Sequence, residues 1–141
     1  MDKNTQTMIG SIIGIIIFAV VSLVLSNLNW NISYADQLMK GAQEINKTCP
    51  RMIDQDTQLD NVVTGPGKRF TYNYTLVNNT AESLNIERLK NHQNHSIIHS
   101  VRTNPCMEDL RKNEVYLIYS YKDKDKKNLF DIHITPDDYK N

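Results

Sequence analysis

Phe70-Thr71-Tyr72-Asn73-Tyr74-Thr75-Leu76-Val77 alternates apolar and polar residues from Phe70 to Leu76. Phe70, Tyr72, Tyr74 and Leu76 fall on one side, and Thr71, Asn73 and Thr75 on the other. This period of two belongs to a strand with one face on a core and one in water, the usual case in antiparallel sheets. Upstream, Thr64-Gly65-Pro66-Gly67-Lys68 reads as a turn, and Leu59, Val62 and Val63 form the strand that enters it. Downstream, Asn78-Asn79-Thr80 ends the strand. A helix is expected from Ala81 to Arg102, with Ile86, Leu89, Ile97 and Val101 on one side and Thr103-Asn104-Pro105 as its stop. An earlier helix, Tyr34 to Lys47, carries Tyr34, Ala35, Leu38, Ala42 and Ile45 on one face, with Ser33 as N-cap. Two further strands, Glu114 to Lys122 and Leu129 to Thr135, flank the mixed-sign run Lys122 to Lys127, which reads as a solvated hairpin tip. The order is helix, strand, strand, helix, strand, strand. It predicts an α+β fold, a four-stranded antiparallel sheet with two helices on one face.

Met8 to Leu25 is a different kind of segment, MIGSIIGIIIFAVVSLVL, with no charge in it. Crossing a bilayer core takes roughly 20 apolar residues, with about 17 as the lower limit. The stretch is longer than a signal-peptide core, and no small-x-small cleavage site follows it. The expected division is a short cytoplasmic tail at 1–7, a transmembrane anchor at 8–25, a linker at 26–33 and an exported α+β domain at 34–141. Lys3 precedes the span and no Lys or Arg follows it until Lys40. The positive-inside rule then places the N-terminus in the cytoplasm. The expectation is a single-pass protein of the inner membrane with its C-terminal domain in the periplasm or outside the cell. Gly10 and Gly14 have the small-xxx-small spacing of associating spans, so a homodimer through the anchor is a further expectation.

The chain has 16 basic and 16 acidic residues, a balance that argues against a nucleic-acid partner. Its two cysteines, Cys49 and Cys106, both follow the anchor. In an oxidising compartment they are expected to pair, closing a loop of roughly 60 residues for about 4 kcal/mol of stabilisation. Five Asn-x-Ser/Thr sequons, at Asn31, Asn46, Asn73, Asn78 and Asn94, read as accidents of an Asn-rich bacterial composition.

Reactive chemistry has little support. His92, His95 and His99 share one face of the second helix, and the i, i+4 pair His95 and His99 has the spacing of a metal chelate. No acid or cysteine of that helix joins them, so they read as an ordinary solvent face, with metal binding as the weak alternative. Asp54, Asp56, Asp60, Glu108, Asp109, Asp137 and Asp138 are scattered through loops and turns. No nucleophile motif or phosphate loop is present, and no cofactor is implied. The tyrosines are more informative. On the strand after Glu114, the set Val115, Leu117, Tyr119 and Tyr121 is the more apolar and should pack on the helices. Tyr116 and Ile118 then become contact candidates on the uncovered face.

Cys49-Pro50, Thr57-Gln58-Leu59-Asp60, Pro66-Gly67-Lys68, Tyr72-Asn73-Tyr74-Thr75-Leu76, Tyr119-Ser120-Tyr121 and Ile134-Thr135-Pro136 resemble small uncharacterised bacterial envelope proteins. These join an N-terminal anchor to a compact α+β domain. The resemblance covers roughly residues 35–139, supports export, and carries no catalytic residue. The reading favoured is a membrane-anchored, non-enzymatic domain that binds an unidentified envelope protein in an accessory or immunity-like role. The alternative is a small envelope hydrolase or metal-dependent enzyme built on the scattered carboxylates and the helix histidines.

Overall fold

The computed structural model describes residues 33–140. Helix α1 (Tyr34–Asn46) begins at Ser33, whose hydroxyl accepts from the Asp36 N–H. It buries Leu38, Gly41, Ala42 and Ile45, while Ala35 is exposed. A two-residue strand, β1 (Arg51–Met52), and the hairpin β2 (Thr57–Gly65) and β3 (Arg69–Leu76) follow. Gly67 sits in the hairpin turn at φ +72°, where a side chain would be strained. After a 3₁₀ turn at Ala81–Ser83 comes α2 (Ile86–Thr103), capped by Asn85 Oδ1 accepting from the Arg88 N–H. The helix therefore starts later than its polar and apolar pattern suggests. A second 3₁₀ turn (Pro105–Met107) leads into a short helix, α3 (Glu108–Lys112), where the sequence suggested only loop. Strands β4 (Tyr116–Asp123) and β5 (Asn128–Ile134) and a last helical turn, α4 (Pro136–Tyr139), complete the chain.

The strands form one five-stranded sheet in the order β1-β2-β3-β4-β5. The four-stranded antiparallel expectation is corrected in two ways. β1 adds an edge, pairing Arg51 with Leu59 and Met52 with Gln58. The central pair β3–β4 is parallel, running from Arg69↔Tyr116 to Leu76↔Asp123, while the other pairs are antiparallel. The cause is the crossover. An 18-residue α2 is about 27 Å long, close to the ~26 Å of an eight-residue strand. It carries the chain back along the sheet, so that β4 starts beside the start of β3, as in a βαβ unit.

One sheet face carries the core. Tyr72, Tyr119 and Ile132 are register neighbours and all are buried, as are Phe70, Leu117 and Ile134. Tyrosine rings stack along it, with centroids 5.1 Å apart for Tyr72–Tyr119 and 5.1 Å for Tyr74–Tyr121. Helix α1 packs against β2 and α2 against β5, and both contribute to the same cluster.

The expected disulfide is absent: Cys49 and Cys106 are free thiols. Tyr34, the first residue of α1, donates its hydroxyl to Asp109 Oδ2 at 2.9 Å, which sets α3 beside the start of α1. Cys106 lies just before α3, whereas Cys49 lies just beyond the end of α1. Thirteen helical residues separate them by about 20 Å, and a disulfide needs Cα atoms within about 7 Å.

Among the described residues no helix is long and apolar enough to cross a membrane. The expected anchor, Met8 to Leu25 with Gly10 and Gly14, lies outside the described residues.

Candidate interaction surface

The sheet face away from the helices is uncovered by any element among the described residues, and strand register orders its side chains in rows. Arg69 lies beside Tyr116. The next row is Val63, Thr71, Ile118 and His133, and the one after it Asn61, Asn73, Ser120 and Asp131. Tyr116 and Ile118, the residues singled out in the sequence, are half-buried here, while Val63 is 48% exposed. Tyr119 and Tyr121 point the other way and are buried. Of the five strand tyrosines, only Tyr116 belongs to the open face.

At one end of this face three side chains are joined. The Arg69 guanidinium carbon lies 5.6 Å from the centre of the Tyr116 ring, within cation–π range. The Tyr116 hydroxyl is 2.9 Å from His133 Nδ1, and the two rings meet edge-on. Lys68, next to Arg69, donates Nζ to the Asn113 carbonyl at 2.9 Å. Arg69 was missed in the sequence because the alternation begins at Phe70. His133 sat on an expected strand with no partner in sight until β5 was aligned against β4.

Further along, a polar cluster pins the hairpins together. Asp60 is the extra residue of a β-bulge between Leu59 and Asn61. Its carboxylate accepts from Thr75 Oγ1 at 2.6 Å and from Gln58 Nε2 at 2.6 Å. Lys126 Nζ donates to Thr75 Oγ1 at 2.9 Å and lies 3.7 Å from Asp60 Oδ1. Thr75 is only 2% exposed, too enclosed to serve as a nucleophile. The cluster therefore reads as a structural tie.

Five more of the carboxylates singled out in the sequence are also occupied by the fold, while Asp137 is exposed and Asp131 Oδ1, on the open face, is buried with no hydrogen-bond partner among the described residues. Asp54 Oδ1 accepts from the Asp56 and Thr57 N–H groups, and Asp138 Oδ2 caps Thr135. Asp56 holds the Asn78 amide and Asp109 holds Tyr34. Glu108 is paired with Lys112, which draws its carboxyl below the ordinary value. In the β4–β5 turn, Asp123 Oδ1 accepts from the Asp125 and Lys127 N–H groups, and Oδ2 from Ala81. Burial pushes the Asp123 carboxyl up, but these backbone donors outweigh it and leave it below the usual range. His92, His95 and His99 are exposed on α2. Among the described residues no three His, Cys, Asp or Glu groups come together in a form that could hold a metal. Burial raises the Cys49 thiol, which keeps it a poor nucleophile.

Residues 33–130 match a domain of unknown function (DUF8479), and the chain belongs to that family. No functionally curated protein matches the sequence. Two solved structures share the fold. One is a protein of Pseudomonas aeruginosa assigned as secreted, with TM-score 0.61 and 18% identity, covering 74% of this chain and 90% of its own. The other is the type II secretion system pilotin AspS of Vibrio cholerae, with TM-score 0.51 and 10% identity, covering 72% of this chain and 87% of its own.

Proposed function

We propose that this member of a family of unknown function is an exported, non-enzymatic docking domain of the bacterial envelope. In this reading the apolar run at 8–25 tethers it to the inner membrane, the domain from residue 34 onward lies outside the cytoplasm, and the open sheet face binds another envelope protein. The single observation that carries it is the uncovered face itself. It has a half-buried tyrosine, a half-buried isoleucine and an exposed arginine in adjoining rows. Arg and Tyr dominate binding energy at interfaces, and apolar neighbours exclude water around them. The fold shared with a protein assigned as secreted and with a secretion-system pilotin supports export and a partner-binding role. A catalytic role has less support, since Asp54, Asp56, Asp60, Glu108, Asp109 and Asp138 serve turns, caps, ties and an ion pair.

The test is co-purification from native membranes with the full chain. Tyr116→Ala should release the partner and leave the domain folded. Tyr119→Ala removes a buried ring and should cost about 3–5 kcal/mol of stability. A C-terminal alkaline phosphatase fusion should be active. An inactive fusion, or a partner retained by a folded Tyr116→Ala protein, contradicts the proposal.

A further inference from the structure

We infer that the Arg69–Tyr116–His133 end of the open face recognises a carboxylate on an extended, acidic segment of the partner protein; this rests on the docking role proposed above. Arg69 is exposed, and its guanidinium carbon lies over the Tyr116 ring at cation–π distance. That contact orients the guanidinium and leaves its N–H donors available. The ion pairs among the described residues engage Lys47, Lys112, Lys126, Lys127 and Lys140, and none takes Arg69 or His133. His133 uses Nδ1 toward the Tyr116 hydroxyl, so Nε2 is the nitrogen left for a ligand. Lys68 adds positive charge next to Arg69, while its ammonium is held by the Asn113 carbonyl. By register the nearest acid on this face is Asp131, one row beyond His133. Glu114 lies within electrostatic reach of Lys68 but is paired with Lys140 at 2.6 Å, so no carboxylate among the described residues is paired with Arg69. The site is thus a pre-oriented basic corner, and a planar fork of this kind matches a carboxylate in two-point contact.

The row beside it fixes the rest of the ligand. Val63, Thr71, Ile118 and His133 run across four strands. Val63, Thr71 and Ile118 offer methyl groups to apolar side chains flanking the acid. A bilayer is the less suitable ligand. Anionic membranes are held by clusters of roughly 4–8 Lys or Arg, whereas this corner has Arg69 and Lys68 in a chain of balanced charge.

The probe is a short acetylated peptide of alternating glutamate and alanine, titrated into the isotope-labelled full chain in neutral detergent and followed by amide NMR shifts. Saturable shifts are expected at Arg69, Thr71, Tyr116, Ile118 and His133. Binding should weaken roughly tenfold with Arg69→Gln and by a similar factor when glutamine replaces glutamate in the peptide. Lys90→Gln, on the exposed side of α2, should leave it unchanged. Equal binding of the glutamine peptide, no effect of Arg69→Gln in a protein whose remaining spectrum is native, or shifts centred on another surface would overturn the inference. So would phosphatidylglycerol vesicles that perturb these amides when the peptide does not. If the peptide fails while Tyr116→Ala still releases the native partner, carboxylate recognition is wrong and the docking role stands. If Tyr116→Ala also retains the partner, both fall.

Discussion

Asn46 and Val62 exchange two hydrogen bonds of 2.7 Å each: the Asn46 amide donates to the Val62 carbonyl, and the Val62 N–H donates to Asn46 Oδ1. Strand β1 pairs with β2 only at Gln58 and Leu59. The side chain ending α1 takes the place of a neighbouring strand further along the same edge. An unpaired edge invites pairing with another chain. Asn46→Ala should therefore cost about 1–3 kcal/mol in urea unfolding and raise the tendency to aggregate. A change of less than a few tenths would mean that the edge is protected by something else.

The bulge at Asp60 supports a second prediction. Its carboxylate holds Thr75 and Gln58 and faces the Lys126 ammonium. Asp60→Ala should destabilise the domain by about 2 kcal/mol, the scale of hydrogen bonds to a charged group. Lys126→Met should recover none of that loss in the double variant, because the buried Thr75 hydroxyl then loses both partners. Recovery in the double variant would point to simple charge imbalance instead.

The cysteines should behave as separate thiols. Alkylation of the folded, unreduced protein should label both Cys49 and Cys106, with Cys49 slower than a free thiol because burial raises its pKa. Replacing both by Ala should cost about 1 kcal/mol, well short of the 2–5 kcal/mol lost with a native disulfide. A resistant, oxidised pair by mass spectrometry would contradict the separation across α1.

Alkaline pH probes the tyrosine core. Burial raises the phenols of Tyr72, Tyr74, Tyr119 and Tyr121 above their ordinary value of 10.0. Burial pushes the Tyr139 phenol up to about 12 as well. A group whose folded pKa is raised binds its proton more tightly in the folded state. Its contribution is complete below pH 10 and declines as the pH rises from there toward the folded value. Each fully buried tyrosine should remove about 1.4 kcal/mol per pH unit over that interval. Tyrosinate absorbance should accordingly appear together with loss of circular dichroism, in one transition above pH 10. Gradual ionisation at pH 10 with the fold intact would place these hydroxyls in water.

Much of this architecture is legible in the sequence where one residue type decides the backbone. The alternation from Phe70 to Leu76 and from Tyr116 to Tyr121 assigns both faces of β3 and β4. That is why Tyr116 separates from Tyr119 before any coordinates are known. Ser33 marks the start of α1 by its side-chain chemistry. The parallel β3–β4 pair is not legible, because the two helix–hairpin halves look like repeats and hide the long return through α2. The β2 strand reads poorly because the extra residue Asp60 puts the buried Leu59 and Val62 three apart. β1 is too short to show a period. The basic corner depends on register between three strands, which brings Arg69, Tyr116 and His133 together from distant stretches of chain.

The most direct measurement is photo-cross-linking in living cells, with a photoreactive amino acid at Ile118 on the open face or at His95 on the exposed side of α2. Docking through the open sheet face predicts a discrete adduct to one envelope protein from position 118, lost with Tyr116→Ala, and none from position 95. An adduct from position 95 with none from 118 would contradict it.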